Sequence, residues 1–374
     1  MTDQPSPSFG MNAEAASGPS LSYWQLVRRR FLGNRYGMTG AIVCVLIVFS
    51  AIFAPFLAPN DPAAKDRDAI YSPPQLIKVI GQDGLTWPFV LGFEEVMDPN
   101  TFEITFEPSF DKVTPLKLFV EGDPYRVLGM EFSTHLFGGA ESTPVHLLGT
   151  DGLGRDVFSR MLYGSRITLL MGFMVMAAAC VIGTVVGVTS GYLGGRVDTV
   201  IQRLIEFVKS FPDLPLYLAL VAILPRRADP MVTFIMFAGI VVLLQWANLA
   251  RELRGKVIAI RSVEFVRSAV AVGASDKRII LRHIIPNMSS HIIVWATYVL
   301  PEVILLESFL SFLGVGIQQP LVSWGVMLNA VRDFQSLASA PWLLAPVGMI
   351  ILSVLAFNAL GDGLRDAMDP YAND

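Results

Sequence analysis

Two glutamates, Glu302 and Glu307, are the side chains best placed to do chemistry, because they are the only charges in an apolar stretch over residues 289–312. A carboxylate in such a stretch usually pairs with another group, relays a proton or contacts a ligand. Five positions correspond to about 140° around a helix, so the two carboxylates cannot form one site on one face. Because buried charges are usually paired, we expect a structural pairing role for both, with Glu307 pairing to a neighbouring helix.

Other patterns that would bind a cofactor, a metal or a substrate are missing from the sequence. It contains no GxxxxGK[ST], HExxH or GxSxG motif. Residues 149–156, GTDGLGRD, predict a turn that leads into an amphipathic helix rather than a nucleotide site. His283 and His291 have no third ligand at a suitable spacing, so we expect polar interface positions. Cys44 and Cys180 lie in apolar runs and predict packing residues. We therefore expect no cofactor and no metal in this chain.

The composition is that of a protein embedded in a lipid bilayer. Of the 374 residues, 53% are hydrophobic and 16% charged, and the mean hydropathy is +0.52, which exceeds what a soluble core needs. The net charge of −4 is too small to indicate nucleic acid as a partner. Runs of about 20 residues without a charge predict membrane spans. Within the stretch at 289–312, Glu302 directly follows Pro301, and we expect Glu302 to lie near the membrane edge. Four uncharged runs and the stretch with the two glutamates predict spans at 38–58, 167–192, 230–250, 334–361 and 289–312.

A shorter apolar run at residues 214–224 is assigned from the charges of the loops. Residues 251–282 hold eight Lys or Arg against three Asp or Glu, which predicts a cytoplasmic location. The arginine-rich N-terminus is expected on the same side, so an even number of spans must separate the two. Residues 214–224 are therefore expected to cross, extended by residues around Pro212 and Pro215. The prediction is about six spans with both termini in the cytoplasm.

The segment between the first two spans predicts a small domain outside the membrane. Residues 60–148 hold 14 Asp or Glu against six Lys or Arg. Phe102, Ile104 and Phe106 alternate with polar residues, as in a half-buried strand. The predicted fold class is an all-α polytopic membrane protein of about six transmembrane helices with a small strand-containing extracytoplasmic insertion.

The predicted boundaries follow from these spans. The first twenty residues are rich in Ser, Pro, Gly and Ala and predict a disordered tail. The predicted units are a cytoplasmic tail at 1–37, a first transmembrane helix at 38–58, an extracytoplasmic domain with an amphipathic lead-in at 59–165, and a core of five transmembrane helices at 166–374 with a cytoplasmic loop at 251–287.

Within that loop, residues 264–287 read EFVRSAVAVGASDKRIILRHIIPN and predict a basic, partly amphipathic helical segment. Ala269, Gly273 and Ala274 are small residues at helical spacing that would let another protein approach the backbone closely. Gly273 and Pro286 permit a bend and a stop. From the residues alone, a solvated connector that obeys the topology rule is the simpler interpretation.

This segment resembles the cytoplasmic coupling motif of permease subunits of ABC importers, most closely the dipeptide and oligopeptide branch with a long outer loop. Gly273, Ala274 and Ser275 match the Gly-Ala-Ser of that branch, and RHIIPN at residues 282–287 matches its RHILPN ending. Arg267 and Ser268 depart from the usual residues, whereas Ala269 is kept. The resemblance extends over LLGTDGLGRDVFSRMLYGSRITLLMG at 147–172, GYLGGRVDTVIQRLIEFVKSFPDLPL at 191–216 and ESFLSFLGVGIQQPLVSWGVML at 307–328.

The resemblance implies a transport function without catalysis in this chain. Two permease subunits, expected to differ, would form the channel in a bacterial cytoplasmic membrane, two ATPase subunits would bind ATP and Mg²⁺ beneath it, and an extracytoplasmic solute-binding protein would deliver cargo. Peptides are the cargo class that the branch implies, with oligosaccharides, opines or other small solutes as the alternative. The residues it assigns to ATPase coupling are Glu264, Arg267, Ala269, Gly273, Ala274, Ser275 and Pro286.

Two other classes of function remain open from the sequence. An ion-coupled secondary transporter would use Glu302 and Glu307 as its coupling groups, but it predicts inverted repeats that the sequence does not display. A membrane-bound sensor would need a cytoplasmic output domain, and the predicted cytoplasmic parts are a tail and loops.

Overall fold

Long helices account for most of the structure, a computed structural model that describes residues 22–81, 84–97, 99, 104–127, 129–140, 143–225 and 228–369. Within these residues, five helices are long and apolar enough to cross a bilayer. They are α2 (Arg35–Ile52), α4 (Val157–Leu193), α7 (Pro230–Ile260), a continuous helix over Asp276–Phe312 whose main part is α10 (Ile285–Phe312), and Pro341–Met368, whose main part is α13 (Ala345–Met368). The shorter helices are α1 (Tyr23–Gly33), α3 (Ala54–Leu57), α5 (Gly195–Lys209), α6 (Asp213–Ala222), α8 (Glu264–Ala271), α9 (Asp276–Ile279), α11 (Trp324–Leu328) and α12 (Phe334–Ser339).

The predicted sixth span is a helix of ten residues, α6. Ten residues rise about 15 Å, half the hydrocarbon thickness of a bilayer. Pro212 lies at the start of this helix rather than inside a longer one. The segment at 214–224 is therefore not a full-length spanning helix.

The parallel packing of α4 and α7 nevertheless requires the chain to return across the membrane between them. Gly187 lies against Ala250, and one turn later Gly191 lies against Arg254 and Val257. The two helices therefore run in the same direction, and the chain between them travels from one membrane face to the other. α5 and α6 supply that return, so the even number of crossings that the loop charges require is kept.

Helices α2 and α13 pack antiparallel through small residues. Gly37 lies against Gly363, and Gly40 lies so close to Ala356 that a Cβ would be 2.7 Å from its carbonyl oxygen. Small residues of this kind let membrane helices approach closely. Beside them Val27 of α1 packs against Ala367, so both ends of the described chain lie at one face.

The N-terminal boundary of the bundle differs from the prediction. Residues 1–21, where the disordered tail was expected, lie outside the described residues. Helix α1 occupies 23–33 and α2 begins at Arg35, so the predicted tail at 1–37 includes one helix and the start of another. At 165–166 the predicted boundary falls inside α4, which begins at Val157.

The turn predicted at residues 149–156 is present and starts α4. The Asp151 carboxylate accepts hydrogen bonds from the backbone amides of Leu153 and Arg155 at 2.9 and 3.1 Å. Gly154 has a φ of +70°, and a Cβ there would collide with the carbonyl oxygen of Asp66. The Asp156 side chain accepts from the Ser159 amide at 2.7 Å and caps the helix.

The insertion between α3 and α4 contains a four-stranded antiparallel sheet in the order β1-β2-β3-β4. Its small core contains Val90, Leu116 and Val145. The predicted strand is confirmed at Phe106, which lies in β3, whereas Phe102 lies outside the described residues. His135 is within 2.6 Å of the Ala58 carbonyl oxygen and joins the sheet to the end of the first span. The strands are β1 (Lys78–Gly81), β2 (Gly84–Met97), β3 (Ile104–Val127) and β4 (Met130–Gly139).

The loop between α7 and α10 is shorter than the predicted 251–287. Helix α7 continues to Ile260, and the next long helix begins at Asp276, so the connection proper is 261–275. Pro286 does not stop a helix. A π-helical turn at Ile280–Ile284 precedes it, and such a turn accommodates the missing N–H and the bulk of the proline ring.

Candidate functional site

Helix α8, in the connection at 261–275, has apolar residues that are buried within this chain and other apolar residues that are exposed. Val266 and Ala269 are buried against residues of α4, α7 and α10. Phe265 and Val272 on one flank of this buried pair and Val270 on the other flank are exposed, and Val272 is 83% exposed. An exposed apolar edge beside a buried one indicates a second surface that α8 could cover. We call Phe265, Val270 and Val272 the apolar edge.

The predicted coupling residues divide between these two surfaces. Ala269 faces the interior of this chain and Ala274 is half-buried against the same cluster, so neither is the outward-facing small residue that the helical spacing predicted. Gly273 is exposed, has a φ of +79°, and has no atom within 4 Å of where a Cβ would stand. It provides the predicted bend. The remaining predicted residues Glu264, Arg267, Ser275 and Pro286 are exposed.

Sequence reasoning missed the apolar edge itself. The sequence contained a signal for it. Residues 264–272 place apolar side chains on more than one side of the helix, whereas burial of one side needs apolar side chains on that side only. The prediction considered only small residues and therefore selected Ala269, whose side chain is buried within this chain.

Polar contacts hold together the ends of α4, α5 and α7, and α8 packs on two of these helices, α4 and α7. Arg254 of α7 donates two hydrogen bonds to Asp198 of α5, at 2.5 and 2.7 Å, and Ser190 of α4 donates a third to Asp198 at 2.5 Å. The pKa of the Asp198 carboxyl is lowered to about 2, chiefly because of the Arg254 hydrogen bonds. Tyr192 donates to Asp276 at 3.1 Å, which fixes the far side of the connection to α4. The apolar edge is therefore presented on a rigid support.

Glu307 lies in a closed network of hydroxyl groups. It is 1% exposed, and its carboxylate accepts from Ser311 at 2.8 Å, Ser323 at 2.7 Å and Thr168 at 3.4 Å. Each hydroxyl in turn accepts a backbone amide, as Thr168 does from Trp324 at 3.1 Å. The carboxylate thus joins α10, α4 and the segment before α11. The expected bond to a neighbouring helix is present, although its donors are hydroxyls.

Glu302 is in a different environment. Its side chain is exposed, ten residues or about 15 Å before the end of α10 at Phe312. Pro301 lies inside α10 without ending it, and the location of Glu302 near the membrane edge stays a prediction. Gln245 of α7 donates to Glu302 at 3.4 Å, and Asn248 donates to Gln245 at 3.1 Å.

Glu302 and Asn248 line a cavity of about 870 Å³ that opens between α7, α10 and α13. His291 lies on the same wall with its Nε2 3.0 Å from the Glu252 carboxylate, so it occupies a polar interface as predicted. Trp295 and Tyr298 also line it. A polar wall of this kind within membrane helices is suited to a hydrophilic ligand.

Comparison with known proteins places this architecture in a family. The family model described as the binding-protein-dependent transport system inner membrane component matches residues 183–373. A second model, the N-terminal transmembrane domain of oligopeptide transport permease C, matches residues 22–74.

Similar curated proteins are permeases of peptide transport systems. The oligopeptide transport system permease protein OppC of Bacillus subtilis is 30% identical over 98% of this chain and 96% of its own length. The dipeptide transport system permease protein DppC of the same organism is 33% identical over 96% of this chain and 89% of its own length. OppC of Haemophilus influenzae is 40% identical over 60% of this chain and 70% of its own length. The chain therefore belongs to the inner-membrane components of binding-protein-dependent transport systems.

Proposed function

We propose that this chain is one of two permease subunits, together with a different second permease, of an ATP-driven importer of peptides. Peptides are the proposed cargo because the oligopeptide and dipeptide permeases of Bacillus subtilis are similar to this chain over nearly its whole length. The ATP and Mg²⁺ would be held by two ATPase subunits, and a solute-binding protein would deliver cargo outside. The importer would lie in the cytoplasmic membrane of a bacterium.

The observation that carries the coupling role is the apolar edge on its rigid support. An ATPase groove that covered Phe265, Val270 and Val272 would bury apolar surface that is now exposed. Since α8 is packed on the ends of α4 and α7, movement of the ATPase would be passed to these helices as a rigid-body rotation. No catalytic side chain in this chain is needed for that step.

The charges of the connection at 261–275 support the proposed orientation in the membrane. Both ends of the described chain and the connection at 261–275 lie at one face, as the contacts of Val27 and Tyr192 indicate. By the positive-inside rule this face would be cytoplasmic, and the four-stranded sheet would then lie outside, where it would meet the binding protein.

The substitution Val272→Glu is expected to remove the ATPase from the complex. A charge on the apolar edge would be buried without a partner at the interface, so we expect at least a ten-fold lower yield of ATPase with the tagged permease. The measurement is detergent purification from the native membrane, with co-purifying proteins quantified by mass spectrometry.

Leu85→Glu provides a matched control, because Leu85 is 85% exposed on β2 in the insertion outside the membrane bundle. It should leave the yield of ATPase unchanged. Full retention of the ATPase by Val272→Glu would contradict the docking assignment. If the unsubstituted chain purifies without any phosphate-loop ATPase, the proposed ATP-driven importer itself is wrong.

A further inference from the structure

We propose that Glu302 binds the positively charged amino terminus of the cargo during passage, which makes it a specificity-determining residue of the pathway. This inference rests on the proposed peptide-importer function. An ionised side chain in the middle of a membrane helix faces a water-filled path or a partner of opposite charge, because contact with lipid is too costly.

Within the described residues Glu302 has no cationic partner. Its one hydrogen bond in the structure comes from the neutral amide of Gln245, at 3.4 Å to one carboxylate oxygen, so the other oxygen is available. Glu307, five residues later, has its acceptors filled by hydroxyls and is closed to ligands. The two carboxylates therefore have different roles.

The shape and charge of the cavity favour a cationic amine. Glu302 is its deepest charge, whereas Arg251, Lys256 and Arg365 lie further along toward the face that carries the ends of the described chain. An ammonium group has three donors and suits a carboxylate flanked by an amide, and the rings of Trp295 and Tyr298 on the same wall add favourable surface for a cation. The titratable and charged side chains that line the cavity with Glu302 are Arg251, Glu252, Lys256, His291, Tyr298, Arg365 and Asp369.

The experiment compares ATP-driven uptake of trialanine by the whole importer in proteoliposomes carrying the wild type or Glu302→Gln, with the same binding protein. The amino terminus of a peptide loses its proton near pH 8. We expect the ratio of wild-type to Glu302→Gln uptake to be about ten at pH 7 and to approach one at pH 9. The binding protein is the same in both and cancels from this ratio. Glu302→Asp should restore most of the uptake at pH 7.

Two results would overturn the inference. A ratio of one at pH 7 means that Glu302 does not contact the cargo. A ratio that stays constant between pH 7 and 9, together with loss of the second permease on purification of Glu302→Gln, assigns Glu302 to an ion pair with that subunit. The proposed function is judged separately, by whether the wild type takes up trialanine only when ATP is present.

Discussion

Replacing Glu307 with alanine is expected to prevent accumulation of a folded protein. The substitution removes the common acceptor of Ser311, Ser323 and Thr168, and it leaves three buried hydroxyls without their partner. A buried donor left unsatisfied costs about 1–3 kcal/mol. The sum approaches the whole stability of a typical domain, roughly 5–15 kcal/mol. Yield and melting temperature in detergent should both fall sharply, by fluorescence-detected size-exclusion chromatography before and after heating.

Glu302→Ala is the matched control, because the same residue type is removed from the same helix at an exposed position. Its yield and melting temperature should stay close to those of the wild type, because only the long hydrogen bond from Gln245 is lost. Glu307→Gln should be intermediate, since the amide oxygen still accepts while the amide nitrogen meets hydroxyls that must reorient. Equal melting temperatures for Glu307→Ala and Glu302→Ala would show that the network does not stabilise the fold.

The five long spans could be predicted from the sequence because lipid imposes one requirement on every spanning helix, a long run without charge. Where the prediction failed, contacts between distant segments decided the structure. The donors around Glu307 come from three segments, and Thr168 is 139 residues away in the chain. Residue spacing predicts that such a carboxylate needs partners, but it does not identify hydroxyls as the partners.

The limits of the cytoplasmic connection were mispredicted for a related reason. Charged residues indicate where helices leave the lipid, whereas α7 continues past Arg251 to Ile260 because its end packs on α4 and α5. Pro286 was expected to stop a helix, and a π-helical turn absorbs it instead. The burial of Ala269 depends on the side of α8 that faces α7, which residue size does not reveal.

The second large effect is expected at the ion pair between Asp198 and Arg254, which sequence reasoning also missed. The two residues are 56 positions apart and join α5 to α7 beneath the connection that carries α8. Reversal of one charge, as Asp198→Arg or Arg254→Asp, places two like charges within 3 Å of each other in a partly buried site. We expect each single variant to lose more than nine-tenths of ATP-driven uptake. The double reversal should recover a substantial part, because opposite charges again face each other.

The double-mutant cycle separates this pair from a general loss of folding. Contacting charges usually show a coupling of about 0.5–3 kcal/mol, which is measured here from melting temperatures of the four purified proteins. Because the pKa of Asp198 is lowered to about 2, the pair stabilises the fold fully above about pH 4 and is lost only as the pH falls toward 2. The difference in melting temperature between the wild type and Asp198→Asn should therefore be constant from pH 6 to 8. A double reversal no better than either single variant would show that Asp198 and Arg254 act independently, and the support of α8 would then rest on its apolar contacts with α4 and α7 alone.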